Sequence, residues 1–457
     1  MRTSIIISVI LLVTCLFMNT AKGQSQENNS GDKSVMIEVA AEETVYTYVN
    51  PNNGSGPLWS FGCTQIVRMG EDVIVSEMET GEDAPLLSNT RWRLRQRASD
   101  GWRVLAEADA YLQREPCSVA TVSDNTLLLY VNDLITEPGT MYGPCKPHLL
   151  KFVLSEELTP LAPEQVLPDW GEPTYFTDHS YRGFAADRNS GQSLMLNIDA
   201  QTSKQHASLI GLGGATLANT SITFPIRSCY PQVALIGNSA HVLAISDIIE
   251  PVETWRNYKQ EQTGREWDYV FRILYYTHAP DLLTGGFIEP IEIANVEATA
   301  GHIRNQDLWI NEAGEAYILY TEREVQSELM RDQFFPVKSI VDSLHLAVVR
   351  DGKVQSRHVL IEGTPDNVPG NARFHVSEDG TLFAVLYIAG SDSGNKLMQI
   401  MPIDEPKSLI DIPLESPMSN FCLASVRAGN LPSNHIDLHG QTASATMGYA
   451  HVRILQE

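Results

Sequence analysis

Residues 371–387 read Asn-Ala-Arg-Phe-His-Val-Ser-Glu-Asp-Gly-Thr-Leu-Phe-Ala-Val-Leu-Tyr. An apolar run, a polar turn at Asp379-Gly380 and a second apolar run are typical of a β-hairpin. The starts of seven such stretches lie roughly 50 to 75 residues apart, the spacing of propeller blades with insertions. The other six stretches are 63–75, 117–131, 181–198, 230–246, 304–321 and 421–440, the last around the Gly429-Asn430 turn.

A second, looser pair of strands follows the hairpins, as in 90–97 with 102–105 and in 343–350 after which Asp351-Gly352 forms a turn. Four strands complete a blade. The last unit has only one further strand, 446–454, so we expect 35–40 to return as the missing outer strand and close the ring.

The sequence therefore predicts an all-β fold, a single seven-bladed β-propeller of four-stranded antiparallel blades over residues 35–457. Two β-sandwiches side by side are the alternative, and the even spacing favours the propeller. Helical periodicity is weak throughout, and 324–333 is the one candidate helix.

Composition restricts the class of partner. The 457 residues include 56 acidic and 32 basic side chains, a formal net charge of −24. Such a chain is repelled by nucleic acid and by anionic lipid, so neither is expected as a partner. With 43% hydrophobic residues the chain can bury a large core, which excludes wholesale disorder.

The N-terminus has the pattern of a secretory signal peptide over residues 1–23. Arg2 precedes an apolar run, 5–18, and Ala21-Lys22-Gly23 is a small-x-small cleavage site. A membrane anchor is the alternative, but the run is short for a span of about 20 residues. Residues 24–34 are polar and predict a flexible lead-in. We therefore expect a secreted or periplasmic protein with no later membrane span.

Five cysteines remain after cleavage, an odd number for an exported chain. Cys422, Cys63 and Cys117 belong to neighbouring blades and could approach one another. A zinc site with a nearby histidine, one disulfide plus a thiol, and buried thiols are the three interpretations, and the last is favoured. A structural zinc or calcium ion is left open as a cofactor.

Connection lengths indicate which face of the propeller carries the site. In a blade with strands A to D from the axis outwards, the D-to-A and B-to-C connections lie on one face. The A-to-B turns are short, whereas the long insertions 132–148, 247–267 and 322–340 are B-to-C connections. Long loops on a rigid scaffold are where binding and catalysis concentrate.

Histidine, tyrosine and arginine recur just before the innermost strands on that face. Any one of these histidines alone is more typical of a structural hydrogen-bonding role, but together they predict a positive, proton-transferring funnel. The residues are His179, Tyr181 and Arg182 in blade three, Tyr230 in blade four, His302 and Arg304 in blade five, and Arg373 and His375 in blade six.

The insertion in blade four mixes aromatic and basic side chains: Trp255, Arg256, Tyr258, Arg265 and Trp267. Aromatic faces stack on sugar rings and guanidinium groups bind carboxylate or sulfate, which predicts a sugar subsite. An aromatic-anchored loop packed on its own blade is the alternative.

The chain resembles the sialidase-like, BNR-repeat superfamily of seven-bladed propellers. Two segments, Asp178-His-Ser-Tyr-Arg-Gly-Phe-Ala-Ala-Asp and Gly264-Arg-Glu-Trp-Asp-Tyr, are similar to those of secreted bacterial ulvan lyases and polysaccharide rhamnosidases. The architectural resemblance covers the mature chain, and the motifs cover only these stretches. The S-x-D-x-G-x-T-W Asp-box is not present, and Ser377-Glu-Asp-Gly-Thr is only an echo of it, which argues against sialidase activity.

The lyase resemblance implies β-elimination from a uronic acid in an anionic polysaccharide. That reaction needs a carboxylate neutraliser, a base and an acid. It implies His179 as the base with His302 in reserve, Tyr181 or Tyr230 as the acid, and Arg182 or Arg304 as the neutraliser.

Two alternatives stay open. One is hydrolysis of a glycosidic bond by a carboxylate pair, for which Asp178 and Asp307 are available. The other is a non-catalytic propeller that binds glycan or protein.

Overall fold

The computed structural model describes residues 35–59, 62–155, 162–266, 268–405 and 407–455. The predicted signal peptide and lead-in, residues 1–34, lie outside the described residues, as does Trp267.

Seven four-stranded antiparallel sheets form a ring, which confirms the predicted seven-bladed propeller. The first strands of successive blades contact one another around the axis, and those of blades seven and one are in contact as well. From the axis outwards, blade one has β2 Ile66–Met69, β3 Asp72–Thr80, β4 Thr90–Ala98 and β5 Gly101–Glu107, and blade two has β6 Ser118–Ser123, β7 Thr126–Leu134, β8 Cys145–Val153 and β9 Glu164–Val166. Blade three has β10 Gly183–Asp187, β11 Gln192–Ile198, β12 Gln205–Ile210 and β13 Thr216–Ile222, blade four has β14 Ser228–Ile236, β15 Ser239–Ser246, β18 Ile273–Ala279 and β19 Ile291–Asn295, and blade five has β20 His302–Ile310, β21 Ala316–Arg323, β22 Ser343–Arg350 and β23 Lys353–Ile361. Blade six has β24 Asn367–Val376, β25 Leu382–Gly390, β26 Gly394–Gln399 and β27 Leu409–Ile412, and blade seven has β28 Phe421–Leu423, β29 His435–Ala443, β30 Thr446–Leu455 and, outermost, β1 Met36–Thr47.

Each of the seven hairpins predicted from the sequence forms the two inner strands of a blade. The alternation of apolar residues fits sheets that are buried on both faces between neighbouring blades. Gly380 shows why a glycine marks the turn, because its φ of 83° lies in the left-handed region.

The N-terminal strand closes the ring, as predicted, and is longer than predicted. β1 pairs antiparallel with β30 from Met36 opposite Leu455 to Thr47 opposite Thr446. Glu43 of β1 also accepts hydrogen bonds from Arg97 and from the Trp102 indole of blade one. One strand thus completes blade seven and ties it to its neighbour.

The connection between β28 and β29 corrects the prediction of a short turn at Gly429-Asn430. It crosses the axis, and its backbone bonds to the innermost strands of two distant blades: Thr121 N donates to Ala428 O and Ala186 N to Arg427 O, both at 2.8 Å. The Arg427 guanidinium continues to Val233 O at 2.8 Å and to the buried Asp307 carboxylate. This segment plugs the central channel.

Two α-helices occur among the described residues, both within B-to-C insertions. α2, Glu328–Phe334, overlaps the predicted candidate 324–333, whereas α1, Glu253–Thr263, was not predicted. A short 3-10 helix, Glu297–Thr299, and a ribbon of β16 Ile248–Ile249 with β17 Tyr269–Val270 complete the elements. Neither α1 nor α2 combines the length and the apolar character that crossing a bilayer requires.

The five cysteines of the described residues are buried thiols, and no disulfide joins them. This confirms the favoured interpretation and makes the disulfide interpretation wrong. No three side chains of histidine, cysteine, aspartate or glutamate converge as a metal site within the described ranges.

Candidate active site

His179 lies between a carboxylate and a phenol. Its Nδ1 atom is 2.8 Å from Glu115 Oε1, and its Nε2 atom is 2.8 Å from the Tyr181 hydroxyl. Glu115 comes just before β6 and His179 and Tyr181 just before β10, so adjacent blades build this chain on the predicted face. When Nδ1 carries the proton donated to Glu115, Nε2 is free to accept the hydrogen bond of Tyr181.

Tyr181 in turn contacts Tyr230 and Arg227 of blade four. The two tyrosine rings meet edge to face with centroids 4.7 Å apart, and the Arg227 guanidinium lies 5.3 Å from the Tyr181 ring centroid. Arg227 Nη1 is also 2.8 Å from Asp247 Oδ2. The Arg227 guanidinium therefore lies beside the Tyr181 phenol, at the end of the hydrogen-bonded series from Glu115 through His179 to Tyr181.

The backbone of Tyr230 is unusual. Its φ is 52°, in the left-handed region that tyrosine rarely adopts, and it lies at a bulge where β14 loses register with β15 between Cys229 and Gln232. Asn305 Nδ2 from blade five donates to Tyr230 O at 2.6 Å. Strained residues held by their surroundings cluster at functional sites, and the bulge here turns Tyr230 toward Tyr181.

The pocket at this point is narrow. It has a volume of about 20 Å³, enough for one water molecule by the usual requirement of about 10 to 15 Å³. A sugar ring would therefore rest across the mouth instead of entering. The lining includes Trp59, Glu115, Ser180, Tyr181, Arg182 and Tyr230.

Both tyrosines are held in the protonated form. Burial raises the pKa of Tyr181 far above its ordinary value, and Tyr230, Cys229 and Asp247 raise it further while Arg227 opposes them. Burial, followed by Asp247, likewise raises the pKa of Tyr230. At neutral pH each is a phenol with a proton to donate.

Of the other predicted axial residues, Arg182 has a structural role, and His302 and Arg304 form a neighbouring pair. Arg182 is buried, and its guanidinium donates to Pro116 O at 2.9 Å and to Tyr130 O at 3.3 Å. His302 and the exposed Arg304 lie together, 3.4 Å apart between Nε2 and Nε. Burial, and then the surrounding arginines, lower the pKa of His302 to about 3, so its imidazole is neutral.

Phe271 connects this pair to the site. Its ring centroid is 5.7 Å from that of His302 and 5.7 Å from that of Tyr230. The structure thus brings together His179, Tyr181, Tyr230 and the buried Arg182, with His302 and Arg304 one aromatic ring away.

Trp255 and Tyr258 of the blade-four insertion pack within the protein. Trp255 lies against Phe335 with centroids 5.5 Å apart, and Tyr258 against Phe334 at 5.3 Å, so they join α1 to α2. The alternative to a sugar subsite was a loop packed on its own blade, whereas these side chains pack on the insertion of the neighbouring blade five. Arg256 is half-buried and donates to Glu250 O, and Arg265 is exposed after α1.

Arg373 and His375 lie away from the pocket. Arg373 is directed into the plugged channel, where it donates to Gln306 O. His375 is near the C-terminal end of β24, away from the face that carries the pocket, and its Nε2 donates to Ser433 O at 2.7 Å. Burial lowers the pKa of His375 to about 4, as for a neutral structural histidine.

The carboxylates suggested for hydrolysis are both committed elsewhere. Asp307 is buried in the channel, where it binds Arg427 and accepts from Phe374 N at 2.7 Å. Asp178 Oδ2 accepts from Tyr142 N at 3.0 Å. No pair of opposed carboxylates forms from these two residues.

Sequence reasoning missed Glu115, Trp59 and Arg227 as site residues. Arg227 directly precedes its innermost strand, β14, on the same face as His179, so its position in the sequence already marked it as a candidate. Glu115 also precedes an innermost strand, but a lone glutamate in a linker carries no pattern that signals a histidine partner.

The fold is similar to that of solved polysaccharide lyases. A PL25 ulvan lyase bound to -[GlcA(1-4)Rha3S]- superposes with a TM-score of 0.56 at 8% identity, covering 90% of this chain and 94% of that one. The polysaccharide lyase Uly1 gives a TM-score of 0.54 at 9% identity, covering 92% and 100%. No protein-family model and no curated protein matches the sequence. At such identities the likeness shows a shared seven-bladed propeller fold.

Proposed function

We propose that the protein cleaves an anionic, uronic-acid-containing polysaccharide by β-elimination at the axial face. The observation that carries the proposal is the chain from Glu115 through His179 to Tyr181, which couples a potential base directly to a protonated phenol. The similarity in fold to ulvan lyases supports the same substrate class.

The elimination breaks the C5–H bond and the C4–O4 bond of a uronate and forms a C4=C5 double bond. His179 Nε2 takes the C5 proton, and the Glu115 carboxylate stabilises the imidazolium through Nδ1. Tyr181 gives its proton to O4 of the leaving sugar. The 2.8 Å hydrogen bond between these side chains then returns the proton from His179 to Tyr181 and resets the site.

The uronate carboxylate needs a cation, because neutralising it makes the C5 proton acidic. Arg227 is the strongest candidate, since its side chain is 30% exposed and lies beside Tyr181. Arg304 is the second, as an exposed guanidinium in the next blade. The guanidinium of Arg182 donates hydrogen bonds to backbone carbonyls. Its proposed role is to position Glu115 and the floor of the pocket.

Hydrolysis is less well supported, because Asp178 and Asp307 are each bound to other groups. Membership of the sialidase-like superfamily stays a prediction from the sequence. A non-catalytic glycan-binding propeller is the second candidate, and the narrowness of the pocket favours it. Under either function the protein is exported by the signal peptide predicted for residues 1–23.

The test is incubation of the mature chain with a panel of uronic-acid polysaccharides. Ultraviolet absorbance reports the unsaturated uronate, and a reducing-sugar assay reports new chain ends. We expect both signals to rise with the native protein and to be lost in His179→Ala with an unchanged melting temperature.

Reducing ends without new absorbance would replace the lyase by a hydrolase. Silence in both assays with retention on a polysaccharide gel would establish the binding module instead. Full activity of His179→Ala would remove His179 from the chemistry.

A further inference from the structure

A second cavity lies between blades four and five, outside the axial site. Its volume is about 290 Å³, at the lower end of small-molecule sites at roughly 300 Å³. We call it the interblade groove and define it by six of its lining residues: Ile293, Tyr320, Glu322, His345, Arg357 and Val359.

The groove is built on one row of cross-strand neighbours in blade five. Asn305, Tyr320, His345 and Val359 are successive partners across β20, β21, β22 and β23, so their side chains share the face toward blade four. Asn305, the innermost of these four residues, donates a hydrogen bond to the Tyr230 carbonyl. At about 4.8 Å per strand, His345 lies about 10 Å outward from that contact.

The floor and one wall are apolar. Ile293 is fully buried and Tyr320 is 1% exposed, with the Tyr320 ring nearly parallel to that of His345 at 5.1 Å and 19°. Val359 stands at the rim and is 57% exposed. These groups offer hydrocarbon contact to the apolar face of a ring.

The polar groups of the groove have unused hydrogen-bonding capacity. Arg357 fixes its Nε by donating to Ile293 O at 2.7 Å, while its two terminal nitrogens make no hydrogen bond to described residues. Glu322 is only 31% exposed, yet its nearest described partner is His345 Nε2 at 4.0 Å, beyond hydrogen-bond range. Side chains placed this way, with donors and acceptors left over, fit a ligand that supplies the missing partners.

The charge of the groove selects the ligand. Glu322 and Arg357 oppose each other in sign, and burial lowers the pKa of His345 to about 4, so its imidazole is neutral at pH 7. An anion would meet Glu322 and a cation would meet Arg357. A neutral polyol satisfies both, because hydroxyl groups donate to the carboxylate and accept from the guanidinium.

We propose that the interblade groove is a binding site for a neutral sugar unit, held between Glu322, His345 and Arg357 with its apolar face toward Val359. The groove lies on the boundary between blades four and five, farther from the axis than Tyr230. It takes no part in the proposed elimination at the axial site. Its occupancy does not depend on whether the axial site cleaves a polysaccharide.

The test is NMR titration of the full mature protein with neutral methyl glycosides, namely the β-glucoside, β-xyloside and α-rhamnoside, and with methyl β-glucuronide. Glucoside and glucuronide differ only in the C6 carboxylate. We expect at least one neutral glycoside to shift the imidazole signal of His345, and we expect the glucuronide to bind more weakly than the neutral glycoside of highest affinity.

Variants separate the groove from the rest of the protein. Glu322→Gln and Arg357→Ala should each weaken the neutral ligand about tenfold, as for loss of a charge-assisted hydrogen bond. Val359→Trp, at an exposed position, should block the groove without disturbing the fold. Arg350→Ala, a surface arginine of the same blade that binds Glu315, is the matched control.

The proposal is overturned if no neutral glycoside shifts His345, if the glucuronide binds as tightly as the neutral glycoside of highest affinity, or if the three groove variants bind like Arg350→Ala. His179→Ala should leave groove binding intact. Failure of the proposed lyase activity would therefore be seen separately from failure of this site.

Discussion

The Nδ1 atom of His179 lies 2.8 Å from Oε1 of Glu115, a carboxylate that is only 3% exposed. A buried carboxylate in this position orients the imidazole and fixes the proton on Nδ1, which leaves Nε2 as the basic atom. The same arrangement stabilises the imidazolium once a proton is taken from the substrate.

Glu115→Gln should therefore lower kcat by about 10²- to 10⁴-fold, because a neutral amide can donate to Nδ1 and favour the wrong tautomer. KM should change little, since Glu115 is too buried for extensive contact with a polysaccharide. Steady-state kinetics on the unsaturated product measure both constants. An unchanged kcat would show that Glu115 is only a structural partner.

Tyr181→Phe removes the proposed acid while keeping its ring against Tyr230. We expect a loss of about 10²- to 10⁴-fold in turnover with a melting temperature close to that of the native protein. Tyr317→Phe is the matched control, because the Tyr317 hydroxyl meets Glu315 beside the turn between β20 and β21, on the face of the propeller opposite the site. Equal activity of the two variants would assign the acid to another group, with Tyr230 next.

The hairpins were predictable because their signals are local. Alternating apolar residues and a glycine turn, as at Gly380, need no knowledge of the partner blade. Helix α1 was not predictable, since its sequence is mostly polar and the helix depends on contacts with residues outside it. Lys259 of α1 is buried against Glu250, and Trp255 lies 5.2 Å from the Arg272 guanidinium.

The candidate site was predictable in position and only partly in composition. Topology places every segment that precedes an innermost strand near the axis, which located His179, Tyr181 and Tyr230. It says nothing of side-chain distance, so Glu115 was missed, and Arg373 was included although it points into the channel. The crossing of the axis by Arg427 depends on partners more than a hundred residues away and reads locally as a turn.

Two glycines with similar backbones should respond differently to alanine. Gly380 and Gly429 have φ of 83° and 79°, but a Cβ at Gly380 meets nothing within 4 Å, whereas at Gly429 it would lie 1.7 Å from the Thr121 carbonyl oxygen. Gly380→Ala should cost about 1 to 2 kcal/mol from φ alone. Gly429→Ala should cost more than about 3 kcal/mol, since the plug must move. Equilibrium unfolding in denaturant measures both, and equal losses would contradict the close approach.

Stability should fall on mild acidification because of buried neutral histidines. Burial lowers the pKa of His439 to about 4, and its Nδ1 donates to Gly448 O. The unfolded state, with an ordinary pKa of about 6.5, binds the proton first, so the free energy of unfolding falls as pH drops from about 6.5 toward about 4. His439 alone should contribute about 2 kcal/mol between pH 7 and pH 5.

Denaturant unfolding of the native protein and of His439→Gln at both pH values tests this contribution. The variant should lose less stability between pH 7 and pH 5 than the native protein does. Identical losses would show that His439 takes no part in the acid response.

The buried pair of Arg427 and Asp307 gives the sharpest test of the channel plug. Arg427→Met leaves the Asp307 carboxylate buried without its cation, which should cost about 3 to 5 kcal/mol. Adding Asp307→Asn removes the stranded charge, so the double variant should recover part of the loss even though it carries one more substitution. Denaturant unfolding of the two single variants and the double variant completes the cycle. A double variant that is less stable than Arg427→Met would mean that the guanidinium acts through Val233 O and the other backbone carbonyl it binds, and not through the carboxylate.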